Sequence, residues 1–378
     1  MLDSAEEQLA ALLTGAIAQL DIPPHMYRQA VDKYQSVARY LGVEDEKEDR
    51  DLLIYPQGSF RLGTVIRPTP NSDYDIDLVL RVSATKEQTT QAGLKEFAGQ
   101  RLGEYAVHSG TGVDLTEGSR CWTLQWPSFH VDVLPALPSP ENPPTGIWLT
   151  DRDLYLWQCS DPIGFAAWFH DQMRDQFIRR RALLADERAA QIDDVPAWEV
   201  KTTLQQAVQV LKRHRDIYFV DRQSLKPASI LVTTIAGRAY GQEDNLFEAV
   251  LHIASHMTQF VENRNGVRWV ANPVLPLENF ADRWKAHPER ARAFFEWVAQ
   301  LQRDLNEAAG CRGLDNVVER LNRSFGSEVR KSAQDLGQAY RSSREGGKLA
   351  SAAATGGLVM GSARPAVAVR PHNFYGRA

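Results

Sequence analysis

Residues 57–77 read QGSFRLGTVIRPTPNSDYDID, and residues 129–135 read FHVDVLP. The first stretch leaves a short apolar run, Leu52–Tyr55, and turns at Gly58-Ser59 into what reads as one helical turn. A glycine at such a turn lets backbone N–H groups approach a phosphate, and a serine adds a hydroxyl donor. Tyr74–Arg81 alternates, so period two puts Ile76, Leu78 and Leu80 on one face of a strand and Asp75, Asp77 and Val79 on the other. Two carboxylates on one face raise each other's pKa, and a cation between them relieves the repulsion. Hard oxygen donors of this kind suit Mg2+, with Mn2+ as a substitute. An isolated Asp-x-Asp is most simply a solvated strand face. A third acid, Asp132, lies in an apolar run that reads as a second strand. Beside the first strand, it would complete a set able to hold two metal ions about 3.5–4 Å apart for an in-line phosphoryl transfer.

Working outward, the pattern divides the chain. Ser4 and Glu7 form a capping box ahead of Leu9, Leu12, Leu13 and Ile17, and Pro23-Pro24 starts a second helix ending near Gly42. Residues 44–50 read as a charged loop, 86–105 as a helix, and 121–126 and 129–134 as strands joined at Pro127-Ser128. Residues 51–135 are therefore expected to be a mixed α/β unit, one sheet with helices on one side. Beyond 150 the pattern is helical: a long helix from Asp161-Pro162 to about Leu184, then 199–219, 227–240, 245–263, 288–308 and 314–336. The expected division is 1–150 for the N-terminal helices and catalytic core, 151–340 for a helical lobe closing the cleft, and 341–378 for a Ser/Gly/Ala-rich flexible tail.

The 378 residues amount to about two domains at roughly 150 residues each. With 43% hydrophobic and 24% charged residues, wholesale disorder is excluded. A net charge of −5 argues against a protein held to nucleic acid by bulk charge. Cys121, Cys159 and Cys311 are too scattered for a disulfide framework or a zinc ribbon. The N-terminus lacks a secretion pattern and no apolar run reaches the roughly 18 residues of a membrane span, so the expectation is a cytoplasmic protein without membrane contact.

Gly-Ser, a spacer, Asp-x-Asp on a strand and a later Asp on a neighbouring strand resembles the DNA polymerase β-like nucleotidyltransferases. QGSFRLGT, SDYDIDLVL and FHVDVLPAL are similar to one branch of these, the CD-NTases, bacterial relatives of cyclic GMP-AMP synthase. The likeness continues through LQQAVQVLKRHRDIYF (204–219), KPASILVTTIAGRAY (226–240) and NPVLPLENFADRW (272–284), and covers about 50–310. It implies an α/β (α+β) fold, a polymerase β-like core with a mixed sheet plus a helical C-terminal lobe. By the same resemblance Gln57, Gly58 and Ser59 would hold the donor triphosphate, and Lys212 and Ser229 would clamp its tail. Asp75 and Asp77 would bind two Mg2+ ions, and Asp132 the ion that activates an acceptor 3′- or 2′-hydroxyl. The implied substrates are nucleoside triphosphates, ATP and/or GTP. The implied product is a cyclic di- or trinucleotide messenger of anti-phage (CBASS) defence. A zinc-bound insertion and basic surfaces are missing, which implies no DNA activator. The tail, ending PHNFYGRA, would suit capture by a ubiquitin-transfer-like enzyme.

Two rival readings stay open: a template-independent RNA-tailing enzyme, and a nucleotide-sensing regulator without catalysis. Arg61 and Thr64 either orient the Gly-Ser turn or serve as surface charge and local packing. Arg213, His214 and Arg215 read as solvated charges or as partners of Asp216-type acids. His252 and His256, at i and i+4, read as helix packing ahead of a metal site, and Trp122 and Trp126 as core packing ahead of base stacking.

Overall fold

The computed structural model describes residues 4–42, 51–67, 74–110, 112–118, 120–126, 129–150, 157–189, 191–345, 349–352, 358–360 and 366–368. Two helices open the chain, α1 (Ser4–Leu20) and α2 (Pro24–Leu41). The α/β half follows: β1 (Leu52–Gln57), α3 (Gly58–Leu62), β2 (Tyr74–Val82), α4 (Gln91–Ser109), β3 (Asp114–Glu117), β4 (Trp122–Trp126), β5 (Phe129–Pro138), β6 (Ile147–Leu149) and β7 (Gln158–Ser160). These strands form one seven-stranded sheet in the order β1-β2-β5-β4-β3, with β6 on β5 and β7 on β6. Among the described strands of this sheet only β2 and β5 run parallel. Ile76, Leu78 and Leu80 of β2 and Val131 and Val133 of β5 are buried against α2 and α4, whose Ala30, Val37, Leu94, Ala98 and Leu102 complete that core. The opposite face carries a smaller apolar cluster of Tyr55, Val79, Ala136 and Ile147.

The rest is helical: α5 (Pro162–Asp171), α6 (Arg174–Glu187), α7 (Thr203–Tyr218), α8 (Ser229–Ala239) and α9 (Leu246–His256). A hairpin of β8 (Glu262–Arg264) and β9 (Val267–Trp269) precedes α10 (Pro288–Gly310), α11 (Leu314–Phe325) and α12 (Glu328–Glu345). Local signals start several of these. Asp161 caps α5 through Gly164 N–H, Thr202 and Gln205 form a reciprocal capping box on α7, and Asn245 caps α9. Fully buried Phe169, Phe219, Phe247, Phe294 and Trp297 hold the helices together, each aromatic contributing about 1.5–3 kcal/mol of burial.

Several expected boundaries shift. The helix expected over 86–105 runs from Gln91, because the Thr90 hydroxyl accepts from Gly93 N–H and sets its start. The helix expected from Pro162 to Leu184 is two, broken at Met173, whose buried sulfur accepts the Thr202 hydroxyl, a tertiary contact with no breaker residue to announce it. The helix expected over 314–336 is likewise two, divided at Gly326. Helix α1, expected with the N-terminal unit, buries Leu9, Leu12, Leu13, Ala16 and Ile17 in the core of the helical half, against α9 and α12. Helix α12 continues to Glu345, and the described parts of the expected flexible tail pair as three short strands, Leu349–Ala352, Leu358–Met360 and Ala366–Ala368. The charged loop at 44–50, the Pro127-Ser128 joint and the terminal 371–378 lie outside the described residues.

Candidate active site

Parallel pairing of β2 with β5 sets Asp77 opposite Asp132 and Asp75 opposite His130. Period two then places all three carboxylates on the sheet face turned away from α2 and α4. On the other side of β2, β1 sets Gln57 opposite Asp77. There β1 ends, and the chain turns through Gly58, with φ +61°, into α3. A Cβ on Gly58 would lie 2.3 Å from Asp77 Oδ2. The turn and the close approach of the carboxylate therefore both require glycine at this position.

Burial, then repulsion by Asp132 and Asp75, pushes the Asp77 carboxyl up to about 7, against the pull of Lys212. Asp132 Oδ1 accepts the Thr123 hydroxyl at 2.5 Å, a contact set by the antiparallel register of β4 on β5. Among the described residues no three carboxylate, imidazole or thiol groups are drawn together as a ready cation cage. The chemistry of the three acids fits a hard divalent cation: oxygen donors only, on adjacent strands, one with its carboxyl raised by burial and then by its like-charged neighbours.

A cleft of about 1680 Å³ opens between this sheet face and the helical half. Ser59 and Asp75 line it from the sheet side, Lys212, Arg215 and Ser229 from the helical side, with Trp284 at its wall. Asp77 and Asp132 sit one rung further along their strands, and neither they nor Gln57 and Gly58 line the cavity.

The segment after α3 is fixed by a row of side chains on and just before α7. Lys201 Nζ donates to the carbonyl of Gly63, Gln205 Nε2 to Leu62, Gln209 Nε2 to Val65 and Lys212 Nζ to Thr64. The spacing of 4, 4 and 3 residues keeps all four on one helical face. Four successive carbonyls at the end of the Gly-Ser turn thus find donors on the helix that carries Lys212. Asp21, between α1 and α2, ties in as well, accepting from Lys201 and Gln209. Sequence reading missed Lys201, Gln205 and Gln209, although the capping box at Thr202-Gln205 and this spacing were both available to it.

Lys212 is buried, and its ammonium also donates to Thr64 Oγ1 at 3.2 Å. Burial and the neighbouring Arg215 push its pKa down to about 7, against Asp216 and Asp77. Thr64 is thus a buried anchor for Lys212. Arg61 donates to the Pro56 carbonyl and lines a second cavity behind α3. The KRHR run is a correction: Arg213, His214 and Arg215 are buried, not solvated. Arg213 bonds Glu328 and the Phe325 carbonyl. His214 lies between Trp297 Nε1–H and Asp304, while Arg215 pairs with Asp216 as one of the expected readings had it. His252 faces Glu243, and His256 donates to the His252 carbonyl, which is helix packing. Trp126 is buried in the sheet core, and Trp122 donates to the Lys95 carbonyl.

Ser229 is the exposed first residue of α8, whose N-cap Ala228 supplies no side-chain cap. Pro227, Ala228 and Ser229 line the cleft, so the positive end of the α8 dipole borders it.

Residues 53–135 match the family model described as cyclic GMP-AMP synthase DncV-like, nucleotidyltransferase domain. The chain is 26% identical over 99% of its length to a c-di-GMP synthase of Roseivirga ehrenbergii, covering 98% of that protein. It is 25% identical over 86% of its length to the cyclic dinucleotide synthase CdnG of Bradyrhizobium diazoefficiens, covering 82% of it. The structure of CdnG from Bradyrhizobium diazoefficiens in complex with GTP superposes with a TM-score of 0.70, at 22% identity, over 88% of this chain and 100% of that one. Among the described residues no helix is long and apolar enough to cross a membrane. The matched segment holds the Gly-Ser turn and all three acids, and the full-length likeness extends through the helix of Lys212 and Ser229's α8, so the chain carries a DncV-like nucleotidyltransferase domain and is similar along nearly its whole length to cyclic dinucleotide synthases.

Proposed function

We propose that the protein joins nucleoside triphosphates into a cyclic dinucleotide and releases pyrophosphate at each bond formed. GTP is the first substrate to test, because a relative matched along nearly the whole chain is named a c-di-GMP synthase. The observation that carries the reading is the sheet face shared by Asp75, Asp77 and Asp132, of which Asp75 lines one cleft with Lys212 and Ser229.

Two Mg2+ ions held by Asp75 and Asp77, with Asp132 on one of them, would neutralise phosphate charge and acidify the acceptor hydroxyl. Gly58 and Ser59, backed by Gln57, receive the donor phosphates at the start of α3, where backbone N–H groups are free of intrahelical partners. Lys212 and Ser229 hold the triphosphate tail from the opposite wall. The acceptor hydroxyl oxygen attacks the α-phosphorus and the bond to the β-phosphate oxygen breaks. Pyrophosphate leaves and the hydroxyl proton passes to water. A second such step on the re-bound linear product closes the ring. A role in anti-phage signalling belongs to the same proposal, as does regulation by a protein acting on the tail.

The test is incubation of the purified protein with all four ribonucleoside triphosphates and Mg2+, then phosphatase treatment and mass spectrometry. Asp75→Ala/Asp77→Ala is run beside it. A phosphatase-resistant cyclic dinucleotide, lost in the double variant, is expected. A ladder of RNA extended at its 3′ end, or tight nucleotide binding with no turnover under any activator tried, would refute the reading.

A further inference from the structure

We propose that Arg215 is a positioning residue of the triphosphate clamp: it holds the Ser229 hydroxyl so that this group donates into the cleft. The inference rests on the reading of Lys212 and Ser229 as that clamp, and deepens it.

Arg215 lies one helical turn beyond Lys212 on α7 and borders the same cleft. Four of its five N–H groups are committed. Nε and Nη2 donate to Asp216 Oδ1 at 3.0 and 2.7 Å, and Nη1 donates to the Pro227 carbonyl at 3.1 Å and to Ser229 Oγ at 3.0 Å. A guanidinium has no acceptor. Its bond to Ser229 Oγ therefore uses an oxygen lone pair and leaves the serine hydrogen for another partner. Ser229 is exposed on the cleft wall, so that hydrogen is available to a phosphate oxygen. The second Nη1 bond, to Pro227, pins the two residues that precede Ser229. One buried side chain thus fixes both the polarity of the hydroxyl and the place of the α8 N-terminus relative to Lys212. Asp216 neutralises the guanidinium and locks its plane, with Lys226 at 3.6 Å on the outer side. Lysine in this place keeps the charge, but its single nitrogen cannot span Asp216, Pro227 and Ser229 in one fork.

The test is a thermodynamic cycle on binding. GTP is titrated, with Ca2+ in place of Mg2+, into wild type, Ser229→Ala, Arg215→Lys and the double variant, and GMP, which lacks the β- and γ-phosphates, serves as the reference ligand. Ser229→Ala and Arg215→Lys are each expected to weaken GTP about ten- to a hundredfold, the scale of one hydrogen bond to a charged group. The double variant should lose no more than about twofold beyond Arg215→Lys, because both changes remove one interaction. GMP affinity should stay unchanged. Asp216→Asn, which loosens the guanidinium without removing it, closes the same cycle with Ser229→Ala should Arg215→Lys fail to fold. Losses that multiply in the double variant, or a GMP loss equal to the GTP loss, would overturn the proposal and make Arg215 a purely structural tie. A silent Ser229→Ala would overturn the clamp reading itself, and the proposal with it.

Discussion

Replacing Asp77 by Asn should stabilise the protein while abolishing its chemistry. The carboxyl is raised from 3.8 to about 7 by burial and by Asp132 and Asp75. At about 1.4 kcal/mol per pKa unit, keeping it ionised in the fold costs at most about 4 kcal/mol, and relaxation and water entry at this partly buried site reduce it to about 1–2 kcal/mol. The sign follows from proton binding. Between pH 4 and 7 the folded state binds the proton that the unfolded state has lost, so stability falls as pH rises, and the full penalty is present above pH 7. Asn keeps the shape without the charge. The two proteins should therefore melt together near pH 4 and diverge toward pH 8, the variant leading by about 1–3 °C for a chain of this size. Thermal denaturation at matched pH values, first without divalent cation, measures the gap. Titrating groups remote from Asp77 cancel in the difference. Added Mg2+ should then raise the melting temperature of the wild type and leave the variant unmoved. A gap independent of pH, or a variant that melts lower at pH 8, would refute the account of these acids as a strained, like-charged set.

The remaining expectations concern Lys212, the Gly58 turn and the support of Asp132. Lys212 is lowered to about 7, and a triphosphate favours its charged form, so GTP binding above pH 8 should take up close to one proton. Affinity should fall up to about tenfold per pH unit there, and Lys212→Met should flatten the profile; calorimetry in buffers of different ionisation enthalpy reads the proton count. Gly58→Ala places a methyl against Asp77 Oδ2 at a left-handed φ, which costs the turn about 1–2 kcal/mol before the clash is counted. Turnover should drop at least about a hundredfold with far-ultraviolet circular dichroism unchanged; a loss of helix signal instead would assign the glycine to folding. Thr123→Val removes the donor to Asp132 Oδ1 and leaves the strand intact. The Mg2+ concentration for half-maximal turnover should shift severalfold, and an unshifted titration would make the bond incidental.

Alternation in Tyr74–Arg81 was enough to put Asp75 and Asp77 on one face, because a strand's two-residue period is local geometry. The Gly-Ser turn, the Asp161-Pro162 and Pro288 helix starts and the apolar stripe of α1 were legible for the same reason. The break at Met173 was not, since a contact with distant Thr202 settles it, while the division at Gly326 carried a local signal, a glycine at φ +94°, that the pattern reading passed over. The KRHR run shows the limit most clearly. Four charged or polar residues in a row look solvated, yet Arg213, His214 and Arg215 are buried because Glu328, Asp304 and Asp216 come to meet them.

By itself, then, the amino-acid sequence singled out the candidate residues and determined which faces of their own elements they occupy. Only the tertiary structure decided that Asp132 stands beside Asp77, that Thr123 holds it, that α7 reaches the carbonyls of 62–65, and that Arg215 holds Ser229. The reason is that periodicity and capping are written within a few residues of chain. Strand register and the partners of buried charges are instead chosen by burial between segments from about 10 to almost 200 residues apart.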